Sequence, residues 1–220
     1  MTDRPVPPET PPAPVPSWWS GLRLPNLRQT ILSWTPLTIA LISLSMGIYN
    51  FVVAGRAPEL SLIMPDKVRI AQGGAAGPLL YLQPAFVATG PGGRPELVLR
   101  MTVEAQPLDV TGPSATFTWR EQGSWRYDPV SGELTWLYTG DAAPFIVSAQ
   151  SPALFTALLI GPPGWTFAPG RYRLTLRAEQ GAQARPLTGV VDVVLWPEAV
   201  EYINASAGTR FIDFPVTPAR

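Results

Sequence analysis

The 220 residues contain no cysteine and no histidine. Together these two absences exclude thiol nucleophiles, the Ser-His-Asp triad, zinc sites built on thiolate or imidazole, and haem ligation through either residue. An excess of one charge sign is also missing, because 16 basic residues balance 16 acidic ones. Phosphate backbones are held by clustered Lys and Arg, so a neutral chain without a basic run gives no electrostatic reason to expect nucleic acid. The missing cysteine does not fix a redox compartment, since a domain with a sufficient core needs no disulfide. With 46% apolar residues, such a core is available.

A third absence is local: 27 consecutive residues between Arg28 and Arg56 carry no charge. A core helix of a soluble domain keeps a polar face, whereas an apolar helix of about 20 residues crosses a bilayer's hydrocarbon. Thr38, Ser43, Ser45 and Asn50 interrupt the aliphatics, but such side chains bond back to helical carbonyls or to a neighbouring helix. Trp34 and Tyr49 stand near the ends as interfacial anchors. Pro36 suits a first helical turn and kinks a helix that begins at Gln29. A cleaved signal peptide is the competing reading, with Val52 and Ala54 as small residues before a cut. Against it stands a polar, Pro-rich lead longer than an ordinary signal n-region. Arg23 and Arg28 nearly balance Arg56, Lys67 and Arg69, so charge alone leaves orientation open. A folded β domain behind an uncleaved signal anchor implies a cytoplasmic N-terminus and an extracytoplasmic C-terminal domain.

Met1–Pro16 holds seven prolines and almost nothing to bury, which predicts a disordered, polyproline-leaning tail. Trp18 and Trp19 suit the headgroup zone beside Arg23 and Arg28. From Glu59 the apolar period becomes two. In "ELVLRMTVEA" it places Leu97, Leu99, Met101 and Val103 on one face; in "RYRLTLRAE" it places Tyr172, Leu174, Leu176 and Ala178 inward; "LTGVVDVVLW" repeats it through Leu187, Val191, Val193 and Leu195. Further strands are expected over 59–64, 79–89, 115–120, 125–127, 133–138, 144–149 and 154–160. Turn signals at "GPGGR", "DPVSG" and "GPPG" separate several of them. "PEAVEYINASAG" is a helix with Pro197 to start it and Gly208 to stop it, and "RFIDFPV" a last short strand. "AQGGAAGP" lacks the ending of a phosphate-binding loop and reads as a flexible connection, and Asn204-Ala205-Ser206 matches a glycosylation triplet.

Regular short strands punctuated by Gly and Pro argue an all-β antiparallel sandwich. "FAPGRYRLTLRA" resembles the E–F corner and following strand of immunoglobulin-like and fibronectin type III-like domains. The resemblance covers Glu59 to Trp196 and implies that the Tyr172 hydroxyl bonds upstream backbone as a tyrosine corner. Leu174 stands where antibody domains carry their second cysteine.

The densest chemistry is "TWREQGSWRYDPVSGELTWLYTGD". As large rings, Trp119 and Trp136 suit the sandwich core, and Trp125 and Tyr127 suit core or surface. Trp125, Tyr127, Trp136 and Tyr138, with Arg126 beside them, form the candidate binding surface, either as a platform for sugar rings or as a grip on a protein partner. Glu121, Asp128, Glu133 and Asp141 are more simply turn and strand-end residues than a glycosidase pair. The resulting expectation is a tail over 1–28, a transmembrane helix over 29–55, an Ig-like sandwich over 56–196 and a helix and strand appendage over 197–220. Its function is binding, as a protein-interaction domain or accessory subunit of a membrane complex, or alternatively as an anchored carbohydrate-binding module. The expected partners are the lipid bilayer and a protein, with glycan as the alternative; no catalytic residue, cofactor or metal is expected.

Overall fold

The computed structural model describes residues 27–55, 59–89, 95–109, 111–181, 185–205 and 210–219, with side chains from Trp34 onward. The Pro-rich tail, Trp18, Trp19, the "GPGGR" turn, Ser206 of the glycosylation triplet and Gly208 lie outside these residues.

Helix α1 (Leu27–Ala54) carries the boundary between two units, one ending at Asn50 and the other running from Phe51 through the β domain. Its stretch Trp34–Ala54 is long and apolar enough to cross a membrane, with a mean hydropathy of 1.9 and no buried residues in the apolar window. Two of the polar interruptions, Thr38 and Ser45, are satisfied within the helix, as the sequence predicts. The Thr38 hydroxyl donates to the Trp34 carbonyl at 2.9 Å, and that of Ser45 to Leu41 at 2.8 Å.

The β domain begins with β1 (Glu59–Ile63), β2 (Lys67–Gln72), β3 (Pro78–Leu82) and β4 (Ala85–Thr89). Two long strands follow, β5 (Glu96–Pro107) and β6 (Ala115–Tyr127), then β7 (Leu134–Asp141), β8 (Phe145–Val147) and β9 (Ala153–Leu154). The chain continues through β10 (Thr156–Ile160), β11 (Gly170–Gln180), β12 (Leu187–Leu195), helix α2 (Pro197–Asn204) and β13 (Phe211–Pro218). Among the described residues, eight of these strands run antiparallel in the order β6-β10-β3-β2-β13-β12-β11-β5. The ring closes where β5 returns to β6, through four residue pairs from Thr102↔Thr118 to Ala105↔Ala115.

This is the main departure from the sequence-based expectation, which has an Ig-like sandwich of two separate sheets. Strands in a sandwich and in a barrel obey the same period of two, so alternation alone does not tell a split pair of sheets from a closed ring. β13 is also no appendage: it lies between β12 and β2 as a member of the ring. β1, β4 and β9 form a small three-stranded sheet whose Leu60, Phe86 and Ala88 join the core inside the ring.

The inward faces of β11 and β12 are as the period predicts, with Tyr172, Leu174, Leu176, Ala178, Val191, Val193 and Leu195 all buried. β5 is not. There Val98, Met101, Val103 and Ala105 are buried, while Leu97 and Leu99 are each 38% exposed. Arg100 pairs with Glu179 and Val98 with Gln180, which leaves Leu99 as the extra residue of a bulge. One inserted residue moves every side chain before it to the other face.

The Tyr172 hydroxyl accepts the Ala168 N–H at 3.0 Å and donates to the Ala168 carbonyl at 3.1 Å. The "AQGGAAGP" segment is a defined turn rather than a flexible connection. The Gly73 N–H bonds the Gly77 carbonyl at 2.9 Å. Gly77 adopts φ +96°, and a Cβ there would lie 2.7 Å from the Gly161 carbonyl oxygen, so only glycine fits.

Candidate functional site

β6 is paired with β10 only as far as Gly123↔Thr156. Beyond that point it continues with β7 alone as a two-stranded arm, with Trp125 opposite Trp136 and Tyr127 opposite Leu134. The turn at the tip is held by Asp128, whose backbone N–H donates to the Glu133 carbonyl at 2.8 Å and whose Oδ1 accepts the Val130 N–H at 2.9 Å. Hydrogen bonds from Val130 and Ser131 hold the Asp128 carboxyl below its ordinary range.

The arm folds back over the outside of the ring. Trp125 and Phe211 have ring centroids 4.6 Å apart, although their strands are separated by β10, β3 and β2. At roughly 4.8 Å per strand the sheet path is roughly 19 Å, so the arm must lie on the outer face. That face is prepared by two cross-strand rows. Leu158, Tyr81, Arg69 and Asp213 form one, and Ile160, Leu79, Ala71 and Phe211 the other.

Trp125 and Trp136 pack against these rows to make a second, smaller core with Tyr81, Ala71 and Leu158. Tyr81 meets the two indoles edge-on, with centroids 5.0 and 5.1 Å away. The Arg69 guanidinium carbon stands 4.4 Å from the Trp125 ring centroid and 5.4 Å from that of Phe211. It is held there by a two-pronged pair with Asp213, in which Nη2 lies 3.2 Å from Oδ2. Such a cation over an aromatic face, fixed by a carboxylate, is attractive and directional. Burial, aided by the Glu121 charge, pushes the Tyr81 phenol up to about 12.

Gly123 is what lets Trp136 lie flat against the arm. A Cβ at that position would sit 2.3 Å from the Leu137 carbonyl oxygen and 2.5 Å from Cζ2 of Trp136. Two hollows flank the aromatic cluster. One, of 260 Å³, is bounded by Lys67, Arg69, Tyr81, Gln83, Trp125 and Leu154. The other, of 530 Å³, includes Ala71, Glu133, Trp136, Tyr202, Arg210 and Phe211 in its lining. The buried Nε1 of Trp136 has no hydrogen-bond partner among the described residues.

Of the residues singled out in the sequence, Trp119 is core, at 4% exposure. Trp125 and Trp136 come together half-buried on the arm's inner side, whereas Tyr127 and Tyr138 are exposed. Arg126 is exposed opposite Thr135. Trp34 and Tyr49 are exposed on α1. Glu121 and Asp141 face each other across the ladder, and Asp141 accepts the Tyr138 hydroxyl at 2.9 Å. This bond is the main cause raising the Tyr138 phenol. No group of three or more potential metal-binding side chains occurs among the described residues.

The sequence reading missed Arg69, Tyr81 and Phe211. A signal was present: "PLLYL" and "TALLI" are apolar without alternation, the mark of strands covered on both faces. Compared with family models, curated proteins and solved structures, the chain has no match.

Proposed function

We propose that this chain is a single-pass membrane protein with a cytoplasmic N-terminus, and that its extracytoplasmic β domain binds a protein partner as an accessory subunit of a membrane complex. The observation that carries the binding reading is the arm. It projects Tyr127, Val130, Leu137 and Tyr138 at 62%, 94%, 40% and 55% exposure, while Trp125 and Trp136 fix it to the ring from beneath. Large apolar side chains on a rigid, preorganised projection are what association surfaces are built from. Anchoring is supported by α1, whose 21-residue apolar stretch spans about 31 Å at 1.5 Å per residue. Against an enzymatic reading, Asp128 is committed to its turn.

The carbohydrate reading has less support. Trp125 and Trp136 are tilted 59° to each other, and Tyr81 lies 62–63° from both, so the cluster offers no flat platform for sugar rings. Membership of the immunoglobulin-like or fibronectin type III-like group is supported by the Tyr172 corner alone.

The test is mild detergent extraction of the full-length protein from its native membrane. A stoichiometric protein partner should co-purify, and should be lost from a Tyr127→Ser, Val130→Asp variant. A lone monomer that binds glycans on an array would overturn the proposal.

A further inference from the structure

We propose that the open edge of β7 is a strand-addition site, at which an extended peptide of a partner protein pairs with the backbone of Leu134, Trp136 and Tyr138 and seats an apolar side chain in the adjoining 530 Å³ hollow. The inference rests on the protein-binding reading above and specifies the form of the partner.

The argument begins with the ladder. In an antiparallel pair, residues alternate between turning their backbone groups toward the neighbour and away from it. The Asp128 N–H bond to the Glu133 carbonyl sets the phase. Following the register from there, Thr135 and Leu137 turn toward β6, and Leu134, Trp136 and Tyr138 turn toward the other edge. β7 pairs with β6 alone among the described residues, so three successive donor–acceptor sites stand open on that side.

Natural sheets blunt such edges with Lys, Pro, inward charges or very short strands. "LTWLYTGD" has no Lys and no Pro over eight residues, whereas β8, the strand at the opposite end of the same sheet, has only three. From Leu134 to Tyr138, ahead of the bulge at Thr139, the edge is therefore undefended.

The hollow beside it supplies selectivity. Glu133, Leu134, Thr135 and Trp136 all line it. Consecutive residues of a strand point to opposite faces, so a cavity touching all four abuts the backbone edge itself. Its far side is Tyr202 of α2, Arg210, and Phe211 of β13. A strand laid along β7 would run between these walls, with one side chain against Phe211 and Ala71. Glu133 and Arg210 have no ion-pair partner among the described residues, which favours a peptide bearing a base and an acid on either side of its apolar residue. Backbone pairing for affinity with a side-chain pocket for specificity is the general logic of strand addition.

The test uses a phage-displayed random dodecapeptide library panned against the detergent-solubilised full chain. Recovered peptides should carry an apolar residue flanked by charges, and should slow amide exchange at Leu134, Trp136 and Tyr138. Leu134→Pro and Tyr138→Pro each remove an outward N–H together with a side chain, that of Tyr138 bonded to Asp141, so Leu134→Ala and Tyr138→Ala serve as side-chain controls. Each proline variant should weaken binding about tenfold or more relative to its alanine control without lowering the urea midpoint below that control. Failure to recover any peptide, or undiminished binding by both proline variants, would overturn the proposal. So would self-association of the free protein that the proline variants abolish, since the occupant would then be a second copy. A native partner that still co-purifies with the proline variants would refute the edge site and leave the protein-binding reading intact.

Discussion

Gly123 and Tyr81 decide whether the outer aromatic cluster can form. Gly123→Ala would press a methyl group into a backbone oxygen at 2.3 Å and an indole carbon at 2.5 Å, and the oxygen belongs to a paired strand that cannot easily yield. The expected cost is about 1–3 kcal/mol, read as a lower urea midpoint with an unchanged slope and a red-shifted tryptophan emission. Tyr81 gives a pH signature. Its folded value of about 12 lies above the ordinary 10.0, so the unfolded chain loses this proton first as pH rises. The associated stability is whole below pH 10 and disappears between about 10 and 12. Tyr81→Phe should flatten that alkaline decline in a series of urea melts, and an unchanged decline would show that other groups cause it. At this scale much was legible. Trp119 as core follows from its place in an alternating run, whereas the sequence reading did not set Trp125 opposite Trp136. Arg69, Tyr81 and Phe211 were not legible as members of the cluster, because they reach it from strands remote in sequence.

The β6–β7 arm behaves as one element with a seam beneath it. Its ladder holds it together, but Trp125 supplies its contacts with Tyr81, Phe211 and Arg69. Trp125→Ala should cost about 3 kcal/mol and act locally. Amides from 124 to 137 should exchange faster by a factor of ten or more, while those of β11 and β12 keep their protection. Equal acceleration in all three strands would mean that the arm is part of the main cooperative unit. The sequence reading splits this element in two, ending one strand at Arg120 and starting another at Trp125. Glycine normally weakens a strand, which makes Gly123 look like a break; here the register shifts by one residue between Gln122 and Gly123 and the strand continues. The bulge at Leu99 misled the same pattern, since a period of two carries no mark of an inserted residue.

For the whole molecule, the helix is long and apolar enough to cross a membrane and the ring sets the architecture of the β domain. Leu41 and Leu44 are 64% and 62% exposed on α1. An arginine at a helix centre costs about 2.5–3.5 kcal/mol of insertion free energy. A Leu41→Arg, Leu44→Arg double variant should therefore move the protein from the carbonate-resistant membrane pellet to the soluble fraction. The apolar segment and the strand-rich remainder were both plain in the sequence. Ring closure was not, because it depends on four residue pairs in one hairpin and on where β13 is placed. That placement has a consequence for how the chain comes to be made. β2 is synthesised long before Phe211–Pro218 and β12 shortly before it, and each shares an edge with that segment. Until the closing stave arrives, the barrel stands open like an unhooped cask with two sticky margins, a state prone to join with its own kind. A chain stopped after residue 209 should accumulate as aggregate rather than as a slightly smaller soluble domain, and a monodisperse product of that truncation would show that the remaining staves can shut the gap without it.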